Sequence, residues 1–349
     1  MPTLHPTASG KRILLTGASG VIGQAMLARL TPSSVICLVR RTPVNNPDVE
    51  TIFGDVSLPY FGLSRERIRD IGGRIDCIVH AAAVTDFSKS DELVLRTNVS
   101  AVEHILELAS TARVPLYHLS TAFVRAPARP EGAPKEPTYA ISKREGERMV
   151  KGSGVPYSII RPSIIIGESA TGVIARFQGV HGVAGSILKG VLPMMPASPE
   201  SYLDFVPQDV VAEAVIAIAN EGRVGEDYWI TAGPSALTVR RVIELIVEFS
   251  RSVGRPVSFP KFIAPDFVER LLRPVFMPAM PPSLQKGLER VIQISSYLSI
   301  DEPFPTSLPA LQERLGLPRL PDLEAAFVRG LAYWAEKTGF ARRASSYAD

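Results

Sequence analysis

Cysteine is scarce in this chain: there are two in 349 residues, Cys37 and Cys77, both inside apolar runs. That excludes a disulfide-stapled secreted scaffold and reads as small core residues in a reducing compartment. Excess charge is missing too. The formal net charge is +3, and no basic stripe carries interleaved aromatics, so nucleic acid is not an expected partner. No run of about 18 apolar residues appears, which argues against a spanning helix. Residues 1–10 lack the apolar core of a signal peptide. Repeats, low-complexity tracts and metal-ligand clusters are also absent, so no metal is expected. What remains is 46% hydrophobic and 21% charged residues, enough for a sizeable core. The expectation is a soluble cytoplasmic protein of one large domain or two interlocked ones.

The first half alternates short apolar runs with helical patterns. Residues 12–16 read as a buried parallel strand. It runs into Gly17, Ala18, Ser19, Gly20, Val21, Ile22 and Gly23, and then into a helix through Leu30. Glycines at this spacing between strand and helix permit a tight turn and close approach to a pyrophosphate. The helix start then offers free N–H groups. The second strand, 35–39, ends in Arg40 and Arg41, where an NAD-selective site usually carries an acid. Two guanidiniums suit a 2′-phosphate, so NADPH/NADP+ is the expected cofactor. After a strand near 49–53, Asp55 is either an adenine ligand or a plain turn aspartate. A fourth strand, 75–80, ends in Ala81, Ala82 and Ala83, which suit a cofactor lying against the strand end or a close-packed crossover. Asp91–Thr111 reads as a helix whose apolar face is interrupted by Asn98, to which a support role is given.

The fifth strand, 115–119, delivers two hydroxyls, Ser120 and Thr121, at its carboxyl end, where ligands of open parallel sheets bind. Spacing alone does not choose between them. A proline-rich loop leads to a helix bearing Tyr139 and Lys143, which share a face at i, i+4. A free tyrosine, with a pKa of about 10, is a poor catalyst at neutral pH. A neighbouring ammonium is expected to lower that value, making the pair a proton donor and acceptor. A sixth strand, 157–160, closes in Arg161 and Pro162. The alternation from 12 to 162 is that of a doubly wound α/β sheet.

These motifs, in order, resemble the extended branch of the short-chain dehydrogenase/reductase superfamily over about residues 11–235. They are TGASGVIG at 16–23, the Asp55 turn, HAAA at 80–83, the Asn98 helix, LST at 119–121, YAISK at 139–143 and RP at 161–162. Within that branch the chain looks most like the fatty acyl-CoA reductase and thioester reductase (male sterility-type) group, through ICLVRR at 36–41, HAAAVTDF at 80–87, STAFV at 120–124, PTYAISKREGE at 137–147 and DFVPQDVVAEAV at 204–215. The loop between Thr121 and Tyr139 is shorter than in the acyl reductases, a departure that bears on substrate rather than on the catalytic set.

The resemblance implies a Thr121–Tyr139–Lys143 catalytic set, Thr121 being the second of the Ser-Thr pair, with Ser120 as the alternative hydroxyl. Lys143 would contact the nicotinamide ribose, and Asn98 would position the lysine side through water. It also implies a cofactor site built from Gly17, Ser19, Gly20, Val21, Ile22 and Gly23. Arg40 would take the 2′-phosphate, with Arg41 beside it, and Asp55 and Val56 would lie near the adenine. Ala81, Ala82, Ala83, Asn98, Tyr139, Lys143, Pro162, Ser163 and Ile164 complete that set.

The division expected from the sequence is a parallel Rossmann domain at 11–167 plus about 204–222, and a smaller, mostly helical substrate-binding subdomain at 168–203 and 223–340. In the latter, 173–190 reads as a glycine-weakened helix lining a substrate entrance. Its four glycines each cost about 1 kcal/mol relative to alanine, and its His181 is read as structural. Asp209 is a candidate N-cap for a helix through Asn220. The apolar run 265–277 is a lid, a core helix, a dimer contact or a membrane-leaning surface. The expected function is NADPH-dependent reduction of an apolar carbonyl substrate, an acyl thioester first, and a homodimer is a possible assembly. A ketone or aldehyde is the alternative substrate, followed by sugar-nucleotide epimerisation or dehydration and a non-enzymatic NADPH sensor.

Overall fold

Unbroken runs of branched and apolar residues make the strands of the central sheet. In the computed structural model, which describes residues 11–85, 90–125, 136–264 and 300–341 with isolated positions between 267 and 292, β1 (Ile13–Thr16) and β2 (Val35–Val39) are buried throughout. Between them runs α1 (Val21–Leu27), three residues shorter than its sequence pattern. Next come β3 (Glu50–Phe53), α2 (Arg65–Gly72), β4 (Cys77–His80), α3 (Asp91–Ala112), β5 (Leu116–Leu119), α4 (Thr138–Gly152) and β6 (Tyr157–Pro162). Ser64 and Ser90 cap α2 and α3 by accepting the N–H groups of Arg67 and Leu93.

A short strand β7 (Ile164–Ile166) leads to α5 (Gly179–Leu188), β8 (Met194–Pro196), β9 (Tyr202–Leu203), β10 (Phe205–Pro207) and α6 (Gln208–Glu221). The chain ends its ordered course with β11 (Glu226–Ile230), β12 (Leu237–Thr238), α7 (Val239–Ser252), β13 (Lys261–Ile263), α8 (Leu308–Leu315) and α9 (Leu323–Lys337). The seven main strands are ordered β11-β6-β5-β4-β1-β2-β3, and all six pairings are parallel. The order reverses between β1 and β4, so the binding crevice of a doubly wound sheet opens beyond Thr16 and His80.

Helices α2, α3 and α4 cover one face with Ile68, Ile71, Ile105 and Val150. Helices α1, α6 and α8 cover the other with Met26, Val211, Ile218 and Leu311. The second lobe has its own core, in which α5, α7 and α9 bring together Ile187, Ile246, Phe327 and Trp334. Strand β11 and helix α8 belong to the nucleotide half, although the division read from the sequence placed everything after 223 in the second subdomain.

The glycines of α5 have a packing reason. A Cβ on Gly185 would lie 2.4 Å from the indole of Trp334, so the helix seats against that ring only without one. Asp209 does not cap α6, whose N-cap is Pro207. Its carboxylate instead accepts the N–H and hydroxyl of Ser169, at 2.9 and 2.5 Å. Most of the apolar run at 265–277, the proline-rich segment 126–135, residues 1–10 and the tail beyond 341 lie outside the described residues. Met277, at the end of that run, is buried against the second lobe's core.

Candidate active site

The strand ends and the second lobe enclose one elongated cavity of about 420 Å³. Every residue expected from the sequence to touch cofactor or substrate lines it, except Arg41, which is exposed beyond its edge.

At one end lies the glycine loop. Gly17 has φ +74°, and a Cβ there would fall 2.6 Å from the carbonyl carbon of Ala81 and 2.7 Å from the nitrogen of Ala82. The turn after β1 therefore needs both glycine's conformational freedom and its missing side chain. Gly23 is as tightly held, since its Cβ would sit 2.3 Å from the Gly17 oxygen. Gly20 differs: a Cβ would meet only that oxygen, at 3.1 Å, leaving the side toward the cavity open for a ligand. Helix α1 starts there without a side-chain cap or an acid in its first turn, so its N–H groups are left for an anion. A dinucleotide's pyrophosphate fits this cradle.

Farther along the same rim, Arg40 is 57% exposed and lies 3.9 Å from Asp55. The other oxygen of Asp55 accepts both the N–H and the hydroxyl of Ser57, so this residue is a turn aspartate whatever else it binds. Burial alone would raise its pKa. The Ser57 bonds and the two arginines outweigh that and hold it below the usual carboxylate range.

Helix α4 presents Tyr139 and Lys143 to the same cavity. The Lys143 ammonium is buried and donates to the Leu119 carbonyl at 2.5 Å, leaving two N–H donors. Burial pulls its pKa down to about 8, partly opposed by Glu147. Burial also governs Tyr139, a half-buried residue of the cavity wall. Its phenol is pushed up to about 12. The sequence argument that the ammonium would lower this value is corrected: desolvation by burial governs the phenol. Tyr139 therefore holds its proton at neutral pH.

The two hydroxyls at the end of β5 differ in their bonding. Thr121 accepts the Phe123 N–H at 3.4 Å, capping a short 3-10 turn and leaving its own proton to give. The Ser120 hydroxyl is buried without a hydrogen-bond partner among the described residues, and both residues line the cavity.

Asn98 lines the cavity and is held there by three direct bonds. Its side chain accepts from Val84 N at 2.7 Å, donates to Val84 O at 3.2 Å, and donates to the Ser142 hydroxyl at 2.9 Å. Ser142 in turn donates to the Tyr139 carbonyl. Asn98 thus clamps the segment after β4 to the first turn of α4, and its three bonds involve Val84 and Ser142, none of them Lys143. Beneath the site, Thr16 Oγ1 accepts the Ala82 N–H at 3.2 Å and shares a hydrogen bond with His80 Nδ1 at 2.8 Å, its direction set by the imidazole tautomer. His80 stacks on His118, and burial keeps both imidazoles neutral, His80 at about 3.

A sequence profile of the male sterility protein family, for its NAD-binding domain, matches residues 44–215. The matched span takes in Asp55, Asn98, Thr121, Tyr139 and Lys143. Over that span the chain is similar to the male sterility NAD-binding domain.

The chain is 30% identical over 246 residues to the hybrid PKS-NRPS synthetase LUC5 of a Fusarium species, a match covering 61% of this chain and 6% of that relative. The chain thus spans a small fraction of the curated relatives it matches. Among solved structures it resembles the terminal R domain from the myxalamid PKS-NRPS biosynthetic pathway, with a TM-score of 0.72, 24% identity, and 97% of this chain and 93% of that one covered. The reductase (R) domain of a nonribosomal peptide synthetase from Mycobacterium tuberculosis is similar at a TM-score of 0.71 and 20% identity, with 96% and 93% covered. At such identities the structures establish the fold.

Several lining residues of the cavity were missed by sequence reading: Val84, Thr85, Thr97, Phe123, Arg176 and Gln178. Val84, Thr85 and Phe123 fall inside strings that carried the resemblance, HAAAVTDF and STAFV, and Arg176 and Gln178 fall in the window of the glycine-weakened helix expected at a substrate entrance. His181, in the same window, is buried and accepts the Gln178 N–H. Burial draws it down to about 4, and it acts as a cap for α5. Among the described residues there is no cluster of metal ligands and no helix long and apolar enough to cross a membrane.

Proposed function

We propose that this chain is an NADPH-dependent reductase of acyl thioesters carried on coenzyme A or a carrier protein. One observation carries the reading: the glycine cradle and the Thr121–Tyr139–Lys143 set line the same cavity. Near the catalytic end the wall is apolar, formed by Phe123, Ile164, Ile165 and Val180. The R-domain descriptions of the relatives favour a thioester over a simple ketone. Arg40 at the end of β2, with no acid in its place, favours a 2′-phosphorylated cofactor.

The bound cofactor supplies hydride to the substrate carbonyl carbon. The chain's part is to hold that carbonyl and manage its proton. The hydroxyls of Thr121 and Tyr139 donate to the carbonyl oxygen as it gains negative charge. Tyr139, neutral at physiological pH, transfers its proton to it. The Lys143 cation steadies the tyrosinate left behind until a solvent proton replaces the lost one. From a thioester this gives a hemithioacetal, which expels the thiol to leave an aldehyde; a second hydride and proton give the alcohol.

Incubating the protein with NADPH and a panel of acyl-CoAs, aldehydes, ketones and nucleotide sugars, and following nicotinamide absorbance, tests the substrate class. Rapid oxidation with a ketone and none with any thioester would sink the thioester reading. Tyr139→Phe is expected to abolish turnover and leave NADPH binding nearly intact; a variant that kept its rate would overturn the proton-donor role.

A further inference from the structure

The charged residues lining the cavity are three cations, Arg40, Lys143 and Arg176, and one carboxylate, Asp55. Asp55 faces Arg40, and Lys143 is engaged at Leu119. Arg176 is left over. It is exposed, and its guanidinium makes no ion pair or hydrogen bond among the described residues. Its backbone is nonetheless held in place. The Arg176 carbonyl accepts from Gln178 Nε2 at 2.9 Å, and the adjacent Phe177 ring packs against His181 and Tyr333, at 5.3 and 6.0 Å between centroids. A cation on an anchored segment, in a cavity whose one carboxylate, Asp55, is paired with Arg40, calls for an anion from outside.

The cofactor's phosphates already have places elsewhere in the cavity, in the glycine cradle and at Arg40. Arg176 instead belongs to the approach to α5, on the side of the substrate lobe. Resting on the thioester reading above, we infer that Arg176 binds the phosphate of the substrate's pantetheine arm. That group is common to coenzyme A and to a carrier-linked phosphopantetheine. A guanidinium matches a phosphate bidentately, so the residue selects phosphorylated thioesters and takes no part in hydride or proton transfer.

The test compares wild type with Arg176→Gln and Arg176→Lys on three acyl thioesters: of coenzyme A, of 4′-phosphopantetheine, and of N-acetylcysteamine, which has no phosphate. In Arg176→Gln, KM for the two phosphorylated substrates is expected to rise roughly tenfold to a hundredfold, the worth of a charge-assisted pair, with kcat little changed. KM for the N-acetylcysteamine thioester and for NADPH should stay as they are, and Arg176→Lys should recover part of the loss. Equal loss on all three substrates would make Arg176 a structural residue, and a shift confined to NADPH would make it a cofactor ligand. No shift anywhere would leave it a solvated side chain. Each of these three outcomes overturns the inference. A rise for coenzyme A alone, with 4′-phosphopantetheine unaffected, would trace the contact to the nucleotide half and overturn it as well.

A second readout does not depend on turnover. Titrating 4′-phosphopantetheine and pantetheine into the NADP+-loaded protein should show tighter binding of the phosphorylated form in wild type and no discrimination in Arg176→Gln. If wild type reduces no thioester but shows this discrimination, the substrate reading fails and the Arg176 site stands. If it reduces thioesters and shows none, the Arg176 site fails alone.

Discussion

Asn98 donates to the hydroxyl of Ser142 across 2.9 Å, joining the middle of α3 to the helix turn that carries Tyr139. The same side chain holds both backbone groups of Val84. Replacing Asn98 by Ala leaves a part-buried N–H and carbonyl of Val84 without their partner, at up to about 1–3 kcal/mol for an unsatisfied group. The expected result is a loss of about 2–3 kcal/mol in chemical denaturation and a fall in kcat of at least about tenfold as Tyr139 loses its register. Ser142→Ala should show a weaker form of both. Unchanged kinetics in Asn98→Ala would refute the clamp.

The glycines of the cofactor loop should separate by function. Gly23→Ala forces its Cβ against the Gly17 oxygen at 2.3 Å and should destabilise the fold by about 1–3 kcal/mol, the usual effect of overpacking. Gly20→Ala meets that oxygen at 3.1 Å with φ −81°, so stability should hold within about 1 kcal/mol while NADPH affinity falls. Thermal melts paired with cofactor titration check this; a Gly20→Ala protein that binds NADPH normally would argue against the cradle.

Activity should decline as pH rises through about 8. Burial lowers Lys143 from 10.5 to about 8, so its ammonium is present below that value and lost above it. Tyr139, at about 12, keeps its proton throughout this range and does not itself produce the limb. A profile of kcat/KM from pH 6 to 10 at saturating NADPH should show one alkaline inflection, absent from a low-activity Lys143→Met variant. A flat wild-type profile would count against the role of the cation.

Helix α4 is also pinned from behind by an ion pair, Arg161 to Glu147, with two contacts at 2.8 and 2.6 Å between side chains that are 6% and 9% exposed. Asp227 makes a second pair with the same guanidinium at 2.7 Å. Glu147→Gln should cost about 3 kcal/mol, the low end for breaking a buried pair because Asp227 remains. The double change Glu147→Leu with Arg161→Met should recover much of it. Urea denaturation of the single and double variants measures both, and a single-variant loss under about 1 kcal/mol would reduce the pair to a surface-like contact.

Periodicity and short-range spacing were enough to place β1, β2, β4, β5 and α3 to within about two residues. They also located the glycine loop, the arginine at the end of β2, the paired hydroxyls and the Tyr139–Lys143 helix face. These features are local: an i, i+4 spacing or a strand–loop–helix junction is complete within a dozen residues. Tertiary structure alone decided the partners and the protonation. Asn98 could not be assigned to Val84 and Ser142 from its own helix, nor Lys143 to the Leu119 carbonyl, because those neighbours lie up to 44 residues away in sequence. The phenol of Tyr139 rises where spacing suggested a fall, because desolvation depends on how much protein surrounds it and not on which residue lies four positions on. The requirement for Gly185 appears only when Trp334 is packed against it, and Arg176 becomes a candidate ligand only when the second lobe carries it to the same cavity as Tyr139.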